Sequence, residues 1–240
     1  MRRVFISPDW INVNKVSFSP EFMQRPAMLD LGPGDHLIVL DNSGWEHEVV
    51  LASVGDGGAE AQVVRKLLAA GERRTKISLC QGLVPPNRFA EIVRRGTELG
   101  IVEFVPMACD RCAIPDLDTF DELMLDEWRE MVIAVSEKTG RGRLPQVRPA
   151  ILFDTALERV TRRGTSLIVW EGAGSQDIHA VTEAKPFSIS LLAPPPDGFT
   201  VQEVDRASQR GVIPVRLPFD PIGGTPAGLL ISQAIFEQLG

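Results

Sequence analysis

A change of period near residue 72 constrains this chain more than any other feature. From Lys76 onward, strand-length apolar runs alternate with helix-length amphipathic segments. Residues 76–81 read as a short strand ending at Gly82; Pro86-Asn87 then opens a helix to about Leu99, stopped by Gly100. Residues 101–107, 166–170 and 187–193 read as further strands. A helix-like segment, the strand-like run 212–217 and an apolar helix over 227–239 complete the chain. Repeated strand–helix units of this kind fold as a parallel, doubly wound α/β sheet. Within this region Phe120, Met124, Trp128, Met131 and Val135 fall on one helical stripe. Asp121, Glu122, Asp126, Glu127 and Glu130 lie opposite, and a solvated helix face accounts for them.

The first seventy residues follow another rule. Runs 36–40 and 45–52 are joined by Asp41-Asn42-Ser43-Gly44, which has hairpin turn chemistry, and 59–68 reads as a further strand. This part predicts a small β-barrel or sandwich. At 240 residues the chain has room for two modest domains, divided near residue 72.

Composition narrows the class. The longest apolar runs are of strand length, far below the roughly 20 residues of a membrane span. Ser7-Pro8-Asp9 interrupts the opening before any leader-like apolar stretch forms. Three cysteines suggest no disulfide scaffold and point to a reducing, cytoplasmic setting. A formal net charge of −7 argues against a salt-driven DNA binder. Basic residues nevertheless cluster at Arg65, Lys66, Arg73, Arg74 and Lys76, and again at Lys138, Arg141, Arg143 and Arg148. Both clusters suit a structured RNA, and both are also explained as solvated faces.

Familiar catalytic signatures are missing. No G-x-S-x-G, G-x-G-x-x-G or P-loop sequence occurs. Cys109-Asp110-Arg111-Cys112 is a CxxC pair with no second pair to complete a zinc site, and it ends a strand where redox motifs normally open a helix. It reads as two ordinary thiols, and no metal site is expected.

Two loops remain. Pro194-Pro195-Pro196-Asp197-Gly198-Phe199 follows the strand-like run 187–193, and a second proline- and glycine-rich stretch, 218–226, follows the run 212–217. Such loops at the carboxyl ends of strands are where an open α/β sheet builds a ligand site. Two further segments stand out: Thr97-Glu98-Leu99-Gly100, and 137–145, whose Arg141 suggests an anion or RNA contact as readily as a helix stop.

These residues give the chain a resemblance, running nearly end to end, to the RsmE family of 16S ribosomal RNA uridine-N3 methyltransferases, of the SPOUT class. Arg3-Val4-Phe5, Pro33-Gly34-Asp35-His36-Leu37, Thr97 to Ile101, Pro106 through Cys112 and Glu137 to Pro145 carry it. The resemblance implies an N-terminal PUA-like, RNA-binding β-barrel over residues 1–72. It implies a trefoil-knotted α/β domain over 73–240, a homodimer, S-adenosylmethionine as cofactor, and 16S rRNA or the small ribosomal subunit as partner. It implies that Leu192, Ala193, Pro194, Gly198, Leu217, Pro218, Ile222, Gly223, Gly224, Thr225 and Ala227 hold the cofactor. Arg141 and Glu98 take the catalytic positions, with Thr97 and Glu98 shaping the pocket floor, and Arg3, Arg111, Arg141 and Arg143 face RNA. The chain departs from the family where Gly-Pro-Glu-Gly-Gly-Phe becomes 194–199 and where the second loop lacks two arginines and a glutamate. Those departures leave open a second reading, a catalytically silent relative that binds RNA or a protein partner without methyl transfer.

Overall fold

The computed structural model describes residues 1–112, 117, 120, 122–162, 164–217 and 225–239. It divides into two units, one of residues 1–72 and 133–144, the other of 73–132 and 145–240. The sequence reading places a division at residue 72 but has no counterpart for residues 133–144 in the first unit.

In the first unit, β1 (Arg2–Phe5), β2 (Ile11–Asn12), β3 (Lys15–Phe18), β4 (His36–Leu40), β5 (Trp45–Gly55) and β6 (Gly58–Leu68) form a sheet in the order β1-β4-β5-β6-β3-β2. β1 runs parallel to β4; the other neighbours are antiparallel. Alternation explains the long central strand: His47, Val49 and Leu51 are buried on one face of β5, whereas Glu46, Glu48 and Val50 are only half-buried. Val49 and Leu51 join Val4, Val16, Phe18, Leu37 and Val39 in the core of the unit. The rings of Phe18 and Phe22, the latter on the short α1 (Pro20–Met23), stack at 5.6 Å.

The second unit begins with β7 (Lys76–Gly82), α2 (Pro86–Leu99) and β8 (Glu103–Ala108). α3 (Glu122–Thr139) follows; its last turns belong to the first unit. After it come β9 (Gln146–Val147), β10 (Ile151–Leu152), α4 (Phe153–Val160), β11 (Thr165–Val169), α5 (Ile178–Thr182), β12 (Ser188–Ala193), α6 (Val201–Gln209), β13 (Ile213–Val215) and α7 (Ala227–Leu239). The sheet order is β10-β8-β7-β12-β11-β13, with β9 beside β8, and every pairing is parallel. Pro214 is tolerated because β13 lies at the sheet edge.

Both faces of a parallel sheet must be covered, so its strands are nearly continuous apolar runs. On one side Val105, Met107, Ile168 and Leu192 pack with Phe153, Leu157, Phe199 and Val204. Each fully buried side chain of this size contributes roughly 1.5–3 kcal/mol. α2 buries Phe89, Ile92, Val93, Gly96 and Thr97, the spacing of one helix face.

α3 differs from expectation in phase. Its buried line is Leu125, Trp128, Val132 and Ser136, while Met124, Met131 and Val135 are half-buried at the edge. A line stepping by three and four residues passes through Trp128 either way, so the apolar pattern alone does not fix which flank is buried. The expected helix also includes Asp121, which lies outside the described residues.

Candidate functional site

The carboxyl ends of β7, β12, β11 and β13 lie side by side, and a cavity of about 690 Å³ opens there, entirely within the second unit. That volume falls in the range of small-molecule sites, roughly 300–1,000 Å³. Its position follows from topology: neighbouring parallel strands send their loops to the same edge of the sheet.

β7 ends in Gln81 and Gly82. The Gln81 side chain is buried; its Nε2 donates to the Pro194 carbonyl at 2.8 Å, tying β7 to the loop after β12. Its Oε1 is buried and has no hydrogen-bond partner among the described residues. Gly82 lets that loop approach: a Cβ there would lie 2.5 Å from the Pro195 nitrogen. Gly198, with φ +77°, turns the loop in the left-handed region, and its amide donates to the Pro195 carbonyl at 3.0 Å. The turn delivers Phe199 into the core and Thr200 to the N-cap of α6, where Thr200 and Glu203 form a reciprocal capping box.

The opposite wall comes from β11 and β13. Trp170, Glu171 and Gly172 follow β11 and line the cavity. Glu171 Oε1 accepts from the Leu217 amide at 3.0 Å, fixing the start of the second loop. The base of α2 contributes Val84, Pro85, Arg88 and Ile92. The lining is therefore apolar, with a few polar groups: Gln81, Arg88, Arg111, Glu171 and Thr225.

Arg111 reaches the cavity from the turn after β8. Its Nη1 donates to the Asp197 carbonyl at 3.1 Å. Next to it the Asp110 amide donates to the buried Glu203 carboxylate at 2.9 Å, so one bond ties this turn to the loop after β12 and the other to the first turn of α6.

Of the residues singled out in the sequence as a cofactor site, Pro194, Gly198, Leu217, Thr225 and Ala227 line the cavity. Leu192 and Ala193 are fully buried at the end of β12, where Leu192 packs into the core. Pro218, Ile222, Gly223 and Gly224 lie outside the described residues.

The expected catalytic pair is placed elsewhere. Glu98 is exposed on α2 and accepts from Arg94 at 3.0 Å, while the Thr97 hydroxyl donates to the Val93 carbonyl; neither lines the cavity. The part of α2 that borders the cavity is its amino-terminal half, with Arg88 and Ile92. Arg141 is 1% exposed, in the first unit, with Nε donating to Glu72 at 3.1 Å. A guanidinium held this way braces the 140–144 loop and presents no open face to a phosphate. Arg143 is exposed, with its amide donating to Glu72, and Arg3 is half-buried with Nε 3.9 Å from Glu46.

Sequence reading missed Gln81, Arg88, Trp170 and Glu171. A signal was present for Gln81 and Glu171: each is polar and stands directly at the end of an apolar parallel strand, where such sheets bind ligands.

Residues 71–219 match the family model described as RNA methyltransferase domain. The chain is 27% identical over 221 residues to the ribosomal RNA small subunit methyltransferase E of Synechocystis sp., covering 90% of this chain and 70% of the relative. With the Bacillus subtilis enzyme of the same name it shares 23% identity over 189 residues, 76% of this chain and 74% of the relative. Among solved structures, a ribosomal RNA small subunit methyltransferase E from Neisseria gonorrhoeae, bound to S-adenosyl methionine, aligns with a TM-score of 0.81 and 22% identity. The alignment covers 99% of this chain and 95% of that one. A crystal structure of a hypothetical protein aligns at 0.85 and 21%, over 99% and 98% of the two chains. At these identities the two structures establish a shared fold.

Proposed function

This chain belongs to the RNA methyltransferase domain family, and we propose that it transfers a methyl group from S-adenosylmethionine to a uridine N3 of 16S ribosomal RNA. One observation carries the reading: the apolar cavity at the carboxyl ends of β7, β12, β11 and β13, with few polar groups in its wall.

The residues present fit such a cofactor. Gln81 Oε1 is a buried acceptor without a partner among the described residues, which a ligand donor would satisfy. Pro194, Pro195, Pro196 and Leu217 offer apolar surface for a flat base, and Glu171 provides a carboxylate for hydroxyl or ammonium groups. S-Adenosylmethionine supplies an activated methyl on its sulfonium. The chain's own work is to bind, exclude water and orient the acceptor nitrogen, which loses a proton on methylation. Arg88 and Arg111, on the cavity wall, supply positive charge for the RNA backbone or for the developing uracil anion.

On this reading the first unit is a PUA-like RNA-binding module, with Arg3 and the exposed Arg143 facing RNA, and the second unit is a knotted methyltransferase domain that pairs as a homodimer. The activity is tested by incubating the protein with unmethylated small subunits and the cofactor and digesting the RNA to nucleosides. N3-methyluridine that depends on the protein supports the proposal; its absence with a folded protein refutes it.

A second reading, RNA binding without methyl transfer, is favoured by one observation. Three consecutive prolines at 194–196 remove amide donors from the cavity wall.

A further inference from the structure

Cys109 and Cys112 read as two ordinary thiols in sequence, yet the fold brings them together. The Cys112 amide donates to the Cys109 carbonyl at 3.0 Å, closing a tight turn after β8. The two Sγ atoms lie 3.1 Å apart, and the Cys109 amide donates to Cys112 Sγ at 3.3 Å. A β-turn keeps its end Cα atoms within about 7 Å, the span that a disulfide bridges. Both thiols are partly exposed, whereas Cys80 is buried. Reaching an S–S bond of about 2.05 Å needs roughly 1 Å of sulfur movement.

We infer that Cys109 and Cys112 form a reversible two-electron redox site, oxidised by low-molecular-weight disulfides to an internal bridge that weakens ligand binding in the adjacent cavity. The turn that would deform is the one that carries Arg111 and Asp110. Arg111 holds the Asp197 carbonyl and lines the cavity, and the Asp110 amide holds Glu203. Sulfur movement is thus mechanically joined to the loop after β12.

The two sulfurs are chemically unequal. Hydrogen bonding from Cys109, together with backbone amides of Cys109 and Leu83, lowers the Cys112 pKa to about 7 against the opposing effect of burial. The Cys109 thiol is pushed up, first by its hydrogen bond to Cys112, then by burial and by the Cys112, Glu203 and Asp110 charges. Cys112 is therefore the attacking thiolate. It adds to one sulfur of the oxidant, forming a mixed disulfide and releasing one small thiolate. Cys109 then loses its proton to solvent, attacks Cys112 Sγ and expels the second thiolate. Two electrons leave the dithiol, and the oxidant ends as two thiols.

The sequence offers a direct readout, because trypsin cuts after Arg111, between the two cysteines. Oxidised glutathione is added to the reduced protein, and tryptic digests are analysed by mass spectrometry without reduction. The expected product joins peptides 96–111 and 112–129 through one disulfide, reverses with excess dithiol and leaves Cys80 free. Cys109→Ser should instead accumulate a glutathione adduct on Cys112. Isothermal titration with S-adenosylhomocysteine should show binding at least about fivefold weaker in the oxidised protein, with no such change in Cys109→Ser. Failure of the joined peptides to form overturns the inference, as does a bridge that leaves the affinity unchanged. The affinity arm rests on the proposed cofactor. If even reduced protein binds no S-adenosylhomocysteine, that reading fails, while the peptide result still decides the thiol chemistry.

Discussion

Gln81 and Pro194 stand at the carboxyl ends of neighbouring parallel strands, and the side-chain amide of one donates to the backbone carbonyl of the other at 2.8 Å. This bond spans 113 positions of sequence and sets the mouth of the cavity. Replacing Gln81 with Ala removes the tie and the buried acceptor together. Losing buried hydrogen bonds of this kind costs about 1–3 kcal/mol, so S-adenosylhomocysteine binding should weaken roughly 5- to 150-fold by titration calorimetry. A variant binding as tightly as the wild type would remove Gln81 from the site.

Gly82 is the backbone counterpart of that tie. The Cβ of Gly82→Ala would meet the Pro195 nitrogen at 2.5 Å, and a main-chain atom in a proline-rich loop has little room to yield. Overpacking of this sort costs roughly 1–3 kcal/mol. Urea denaturation should report that loss, together with at least about tenfold weaker ligand binding.

Arg141 and Arg143, two residues apart, should part company. Arg141→Ala strips a buried ion pair and leaves Glu72 beside the gap, a change that costs roughly 3–5 kcal/mol. Arg143→Ala, at an exposed position, should stay within about 0.5 kcal/mol of wild type. If Arg143 meets a phosphate, its loss lowers RNA affinity evenly across sequences and reduces the salt slope by about one. Equal stability losses in the two variants would contradict this division of roles.

Iodoacetamide should distinguish the two thiols of the turn by pH. A depressed pKa means the thiolate is populated at lower pH than usual, so the alkylation rate at Cys112 should rise through about 7 and then level off. Removing the hydrogen-bonding thiol with Cys109→Ala should move the inflection up towards the ordinary value of about 8.5. A wild-type inflection already at that value would contradict the described geometry.

The strand–helix alternation from Lys76 was legible because each element carries its own apolar period, and α2, β12 and α7 lie close to where the pattern puts them. The short β2, β9, β10 and α5 carry too few residues for any period to show. At the site, Pro194, Gly198 and Leu217 could be read because their loops follow obvious strands. Arg88 and Trp170 could not, since what joins them is the strand order β7-β12-β11, a long-range property. The burial of Arg141 was hidden for a related reason: a basic residue beside glycines looks solvent-facing until its bond to Glu72, 69 positions away, is seen. The thiol pair was passed over because spacing alone does not reveal that a turn sets two sulfurs 3.1 Å apart.

The measurement that bears most directly on the central claim is calorimetric titration of the reduced, folded protein with S-adenosylhomocysteine. The account predicts one site per chain with a dissociation constant on the order of 1–100 µM, weakened by Gln81→Ala. No binding at ligand concentrations of about 1 mM, in protein shown to be folded, would contradict it and leave RNA binding without methyl transfer as the reading that stands.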